Sequence, residues 1–154
     1  MVVGIIPARI GSKRFPKKIL ADINGKPMIA HVAERAMQSK LLEKIVIAID
    51  AEETKQALSD FDFDLVMTSK DHSSGTDRVA QVAKEIDSAE IIINIQGDEP
   101  LLDPDVIDGL IQLFDDPSVI MGTVVSRNIG IKDYLDRNIV KAFLNEHQNA
   151  YDFK

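Results

Sequence analysis

The chain has no cysteine, which excludes a disulfide framework, a thiolate nucleophile and a Cys-based zinc site. No stretch approaches the ~20 apolar residues needed to cross a bilayer. The apolar run at residues 1–8 is too short for a secretory signal and has no basic leader, so the expected location is the cytoplasm. Repeats, low-complexity tracts and Pro/Gly/Ser-rich linkers are absent, so nothing marks a domain boundary and 1–154 is expected to be one domain. There is no G-x-x-x-x-G-K-[ST] phosphate loop, no G-x-G-x-x-G after the first apolar run and no H-E-x-x-H, so hydrolysis of the P-loop type and nicotinamide chemistry lose support. Positive charge is the minority, with 18 Lys plus Arg against 25 Asp plus Glu, a net charge of -7 and a pI near 4.9. That balance disfavours nucleic acid as a partner, because duplex affinity rests on neutralising many phosphates.

What is present has the make-up of an ordinary globular protein, 45% hydrophobic and 28% charged. A chain of this length buries roughly 68–70% of its unfolded surface, enough for a core without covalent staples. Short β-branched runs, Val2–Ile6, Ile45–Ile49, Leu65–Met67 and Ile91–Ile95, alternate with segments of helical period. Ile29, Val32, Ala33 and Ala36 recur at i, i+3, i+4, i+7, as do Val79, Val82, Ala83 and Ile86, and Ile107, Leu110, Ile111 and Phe114. Asp103-Pro104 supplies an N-cap and first-turn proline for the last of these, and Pro27 opens the first after an Asn24-Gly25 turn. This alternation predicts a parallel α/β sheet with helices on both faces. Val119–Val125 and Ile139–Leu144 are expected to be later strands, and 150–154 reads as a strand entered after His147-Gln148-Asn149. Either a small fold closes there or a larger one has been cut.

In an open parallel sheet, ligands collect at the carboxyl ends of the strands, and three segments fall at that edge. The first, Arg9 to Lys18, carries Arg9, Lys13, Arg14, Lys17 and Lys18 with no acid, so 18 cations less these five leave 13 against 25 acids elsewhere. Arginines can fork onto phosphate oxygens and lysines act as point charges, while Gly11 and Ser12 let backbone N–H groups approach. The alternative is a solvated basic turn. The second, Asp71 to Arg78, offers the hydroxyls and backbone of Ser74-Gly75-Thr76 for reading a base edge or sugar hydroxyl. Its alternative is N-capping by Ser74 or Thr76 with Arg78 on an exposed first turn, and His72 alone reads as a loop histidine. The third, Asn94 to Pro100, delivers Asp98 beside Gly97. A carboxylate there suits Mg²⁺, which usually takes one or two carboxylates plus substrate phosphates; the alternative is an acidic turn capping the helix that follows. Cations and a metal-binding carboxylate at one edge are complementary parts of a nucleoside triphosphate site.

Together these segments resemble the sugar nucleotidyltransferases that activate acidic sugars with CTP, most closely the 3-deoxy-manno-octulosonate cytidylyltransferases, or CMP-KDO synthetases, of lipopolysaccharide biosynthesis. The matching residues are Ile5-Ile6-Pro7-Ala8-Arg9, Gly11-Ser12, Arg14, Pro16 and Lys18, then Asp22 to Ile29, Met67-Thr68, Asp71-His72, Ser74 to Arg78, and Asn94 to Pro100, in order across essentially the whole chain. The resemblance implies a Rossmann-like nucleotide-diphospho-sugar transferase fold. It implies that Arg9, Ser12, Arg14 and Lys18 hold the triphosphate. Ala8, Thr68, Ser74, Gly75 and Arg78 would lie near the cytidine, Gln96 near ribose or sugar acid, and Asp98 on Mg²⁺. Arg9, Arg14, Lys18 and Asp98 are then the catalytic set, CTP and a KDO-like sugar acid the partners, and a homodimer the family's assembly. Family members are longer; their C-terminal portion supplies a second metal-binding aspartate, most sugar contacts and much of the dimer surface. Two other readings stay open, a truncated nucleotide-binding domain without catalysis and a cytidylyltransferase for a related sugar acid.

Overall fold

The computed structural model describes residues 1–11, 15–147 and 149–154. They form two compact units, Met1–Ile120 and Met121–Lys154. No helix among the described residues is long and apolar enough to cross a membrane.

The first unit is built on four parallel strands in the order β5-β4-β1-β6, where β1 is Val2–Ala8, β4 Lys44–Ile49, β5 Asp64–Met67 and β6 Ile91–Asn94. Strand alternation sends successive side chains to opposite faces. Val3, Ile5, Val46 and Ala48 pack with Val79 and Val82 of helix α3 (Gly75–Ala83). Ile6, Ala8, Ile47 and Ile49 join Ile29, Val32, Ala33 and Ala36 of α1 (Met28–Ala36) and Ile107 and Ile111 of α4 (Pro104–Gln112) on the other face. The apolar spacings are therefore those of core-facing helix stripes, and both faces of the sheet are covered as expected.

The punctuation follows local chemistry. Asn24 and Gly25, at φ 51 and 82, turn the two-residue strands β2 (Asp22–Ile23) and β3 (Lys26–Pro27) back on each other, the left-handed pair that a tight hairpin needs. Ser74 N-caps α3 and forms a reciprocal capping box with Asp77. The Asp103 carboxylate accepts the N–H of Asp105, and Pro104 opens α4. From α4, Asp108 accepts the Ser39 hydroxyl and the N–H groups of Lys40 and Leu41, tying down the link from α1 to β4. These bonds, that of Ser39 foremost, hold its carboxyl below the ordinary range.

Two expectations need correction. Val119–Val125 is not a strand: its backbone is irregular and Ile120 and Met121 are 92% and 85% exposed. β-branched residues favour a strand only against a paired neighbour, and no described strand pairs with this segment. Of Ile139–Leu144, only Ala142–Leu144 (β7) is paired, antiparallel to β8 (Ala150–Phe153), so the expected terminal strand is present. Helix α2 (Glu52–Ala57) is absent from the sequence reading because it buries only Thr54 and so has no apolar stripe. The second unit also holds α5 (Ile131–Leu135), and across its hairpin the rings of Phe143 and Tyr151 lie 6.3 Å apart.

Candidate active site

The candidate residues collect where β1, β4, β5 and β6 end. Register pairs Ala8 with Ile49 and Ile49 with Met67, so Arg9, Asp50 and Thr68 leave the sheet side by side. Ala8 is fully buried and can offer a ligand only its backbone, whereas Arg9 is exposed. Ser12 and Arg14 lie outside the described residues. The far end of the basic segment returns to its root, since the N–H of Lys17, a left-handed residue at φ 56, donates to the carbonyl of Ile10 at 3.3 Å. A 3-10 turn, Lys18–Leu20, follows.

Lys18 is brought to the third segment. Its Nζ donates to Oδ2 of Asp98 at 2.6 Å, while Lys17 pairs with Glu53 at 2.6 Å. Asp98 caps no helix among the described residues, so the capping alternative fails. Its loop is seated by Gly97, where an added Cβ would stand 2.9 Å from the carbonyl oxygen of Pro7 and 3.1 Å from Cδ1 of Ile29. Gln96 is exposed beside it and donates to Asn94 at 3.4 Å. Among the described residues no three metal-ligating side chains cluster. An accessible carboxylate beside a lysine fits Mg²⁺, which usually takes one or two carboxylates and is otherwise held by substrate phosphates and water, and does not fit a dedicated protein cage.

The second segment closes over the same edge. Gly75 lies against Pro7, where a Cβ would meet the ring Cγ at 3.3 Å. Arg78 is not on an exposed turn: it is 1% exposed, donates Nη1 to the Thr68 hydroxyl, and pairs through Nη2 with Asp50 at 3.0 Å. α3 points its first-turn underside at the sheet, and an arginine can be placed there only because a carboxylate meets it. Burial pushes its pKa down, Asp50 opposes that, and Arg9 adds to it. Thr68 is held by its own N–H and hydroxyl, both donating to the carbonyl of Ile49 at 2.8 Å. His72 is a loop histidine, its Nε2 2.6 Å from the Gln81 amide oxygen. Asp50 is the residue that sequence reasoning missed. The signal was available, an aspartate directly after a buried β-branched strand, at the carboxyl edge where Asp98 was sought.

A parallel sheet with its polar groups gathered at the carboxyl edge defines an open α/β protein, and the fold is that of the α/β nucleotidyltransferases. The sequence signature of the family described as Cytidylyltransferase matches residues 3–154, and the chain belongs to that family. It is 50% identical over 141 residues to the 3-deoxy-manno-octulosonate cytidylyltransferase of Geobacter sulfurreducens, covering 91% of this chain and 56% of that protein. To the Pelobacter propionicus protein of the same name it is 48% identical, covering 99% of this chain and 60% of the relative. A solved structure of CMP:2-keto-3-deoxy-manno-octonic acid synthetase complexed with CTP superposes with a TM-score of 0.90 at 40% identity, over 99% of this chain and 63% of that one. A cytidylyltransferase structure from Leptospira borgpetersenii gives a TM-score of 0.64 at 25% identity over 76% of this chain and 50% of that one. The chain thus spans about 56–60% of the length of these curated relatives.

Proposed function

We propose that this chain carries the nucleotide-binding part of a cytoplasmic enzyme that transfers CMP from CTP to the anomeric hydroxyl of 3-deoxy-manno-octulosonate, giving CMP-KDO and pyrophosphate. The observation that carries the reading is the Lys18–Asp98 contact at 2.6 Å, because it brings the end of the cationic segment against the acidic loop. The relatives' identity over nearly the whole chain supports the choice of nucleotide and sugar acid.

In this mechanism Arg9 and Lys18, with Arg14 and Ser12 by resemblance, hold the triphosphate, the cations neutralising its charge and Ser12 donating a hydrogen bond. They stabilise the charge that develops on the departing pyrophosphate. The sugar hydroxyl attacks the α-phosphorus as the bond to the pyrophosphate oxygen breaks, so the groups' main task is to hold nucleophile and leaving group in line. No covalent enzyme intermediate is needed. Asp98 would hold Mg²⁺, which supplies further neutralisation of the phosphate oxygens when bound. Thr68, Ser74, Gly75 and Gln96 line the way to the base, ribose or sugar acid. Arg78, buried as it is, contributes from behind Thr68.

The test is calorimetry with CTP and Mg²⁺, paired with a pyrophosphate-release assay in the presence of the sugar acid. Binding with release is the expected result for the catalytic unit. Binding without release reduces the chain to a nucleotide-binding domain. Failure to bind CTP overturns both.

A further inference from the structure

One buried carboxylate joins the two halves of this site. Asp50 is 5% exposed. Its Oδ1 accepts the N–H of Ile10 at 3.0 Å, and its Oδ2 accepts Nη2 of Arg78 at 3.0 Å. Ile10 is the root of the basic loop at both ends, since its carbonyl also accepts the N–H of Lys17. Arg78 continues the chain of bonds to Thr68, and Thr68 to the end of β4. Asp50 therefore faces a donor on each oxygen. A carboxylate satisfies both; an amide would set its own NH₂ against one of them, and an aliphatic side chain would satisfy neither.

We propose that Asp50 is a positioning residue for the polyphosphate: by holding the Ile10 N–H, its carboxylate fixes the backbone between Arg9 and Lys17 and so sets where Arg9, Lys17 and Lys18 stand, an inference that rests on the CTP reading above. Arg78 compensates the charge that this task requires to be buried. The two functions of the carboxylate can be separated. Breaking one member of a buried ion pair leaves an uncompensated charge, whereas replacing both by apolar groups of similar volume commonly restores stability. The apolar pair still leaves Ile10 without its acceptor.

The experiment measures melting temperature and the binding of CTP and of inorganic tripolyphosphate for the unsubstituted chain, Asp50→Asn, and the double variant Asp50→Leu/Arg78→Met. Tripolyphosphate is the deciding probe because it has no base or ribose for Arg78 or Thr68 to influence. Asp50→Asn is expected to melt lower and to bind tripolyphosphate about tenfold more weakly, the scale of one displaced hydrogen bond. The double variant is expected to regain the melting temperature and to stay about tenfold weak. A double variant that recovers both makes the pair merely structural and overturns the inference, as does Asp50→Asn binding within about twofold of the unsubstituted chain. Amide exchange on the unsubstituted protein gives an arm that needs no variant: the Ile10 N–H should exchange more slowly than that of Gly11, and an unprotected Ile10 overturns the inference. CTP binding without tripolyphosphate binding also overturns it, leaving the proposed function in place. Failure to bind CTP at all removes the proposed function, and this inference with it.

Discussion

At the scale of single residues, Gly97 seats one loop and Asp98 carries the metal-holding role proposed for it. A Cβ at position 97 would enter a backbone oxygen's contact distance at 2.9 Å, and a backbone atom cannot rotate away as a side-chain end can. Gly97→Ala should therefore cost about 1–3 kcal/mol of stability, the usual penalty of overpacking, and should weaken CTP binding because Asp98 moves with it. Denaturant unfolding and calorimetry check the two effects together. Asp98→Asn should behave oppositely. Its ion pair with Lys18 is 40–45% exposed, so its loss should leave stability within about 1 kcal/mol. Turnover measured by pyrophosphate release should nevertheless fall by about 10² to 10³, the scale of a lost electrostatic partner of the transition state. Near-normal turnover would remove Asp98 from the catalytic set.

At the scale of elements, the start of α3 is held by a reciprocal capping box, and the nucleotide contacts proposed for Ser74 and Gly75 would rest on it. Ser74→Ala removes the N-cap and should lower stability by about 1 kcal/mol. The capping box also makes that loss pH-dependent. Hydrogen bonds from the Ser73 hydroxyl, then from Ser74, hold the Asp77 carboxyl below its ordinary value of 3.8. A depressed folded-state value contributes stability that is present above the unfolded value and disappears as pH falls through the folded one. The gap between the wild-type protein and Ser74→Ala should thus be constant near about pH 6 and narrow below about pH 4, followed by thermal melts across that range. A gap independent of pH would show that Asp77 does not read the Ser74 hydroxyl. The same elements show what a sequence can reveal. α1, α3, α4 and the four sheet strands were legible because burial imposes a period on their apolar residues, and the Asn24-Gly25 hairpin because its backbone demands those residue types. Helix α2 has one buried side chain and so no period to find. Val119–Val125 has strand propensity without a pairing neighbour among the described strands, and propensity alone does not make a ladder. The cations and Asp98 could be found because they break the local apolar pattern at an edge. Asp50 could have been marked at its strand end, but its pairing with Arg78 could not, since two charges 28 positions apart carry no local sign that they will meet in the interior.

At the scale of the whole molecule, every described candidate residue, from Ala8 to Asp98, belongs to the compact unit Met1–Ile120. Both hydrophobic clusters belong to it as well, and their buried members end at Ile111. A fragment of residues 1–120 contains the complete described sheet and both helical layers, which is the condition for folding alone. It should melt in one cooperative transition and bind CTP within about threefold of the whole chain, since the loop root at Ile10, the Lys18–Asp98 contact and the Asp50–Arg78 pair are all retained. Circular dichroism melts and calorimetry on the fragment decide this. A fragment that melts cooperatively but loses CTP by more than about tenfold would require a nucleotide contact from residues 121–154. A fragment that does not melt cooperatively would show that the first unit's two-sided core is insufficient by itself, although four strands covered on both faces are the arrangement in which a parallel sheet is ordinarily stable.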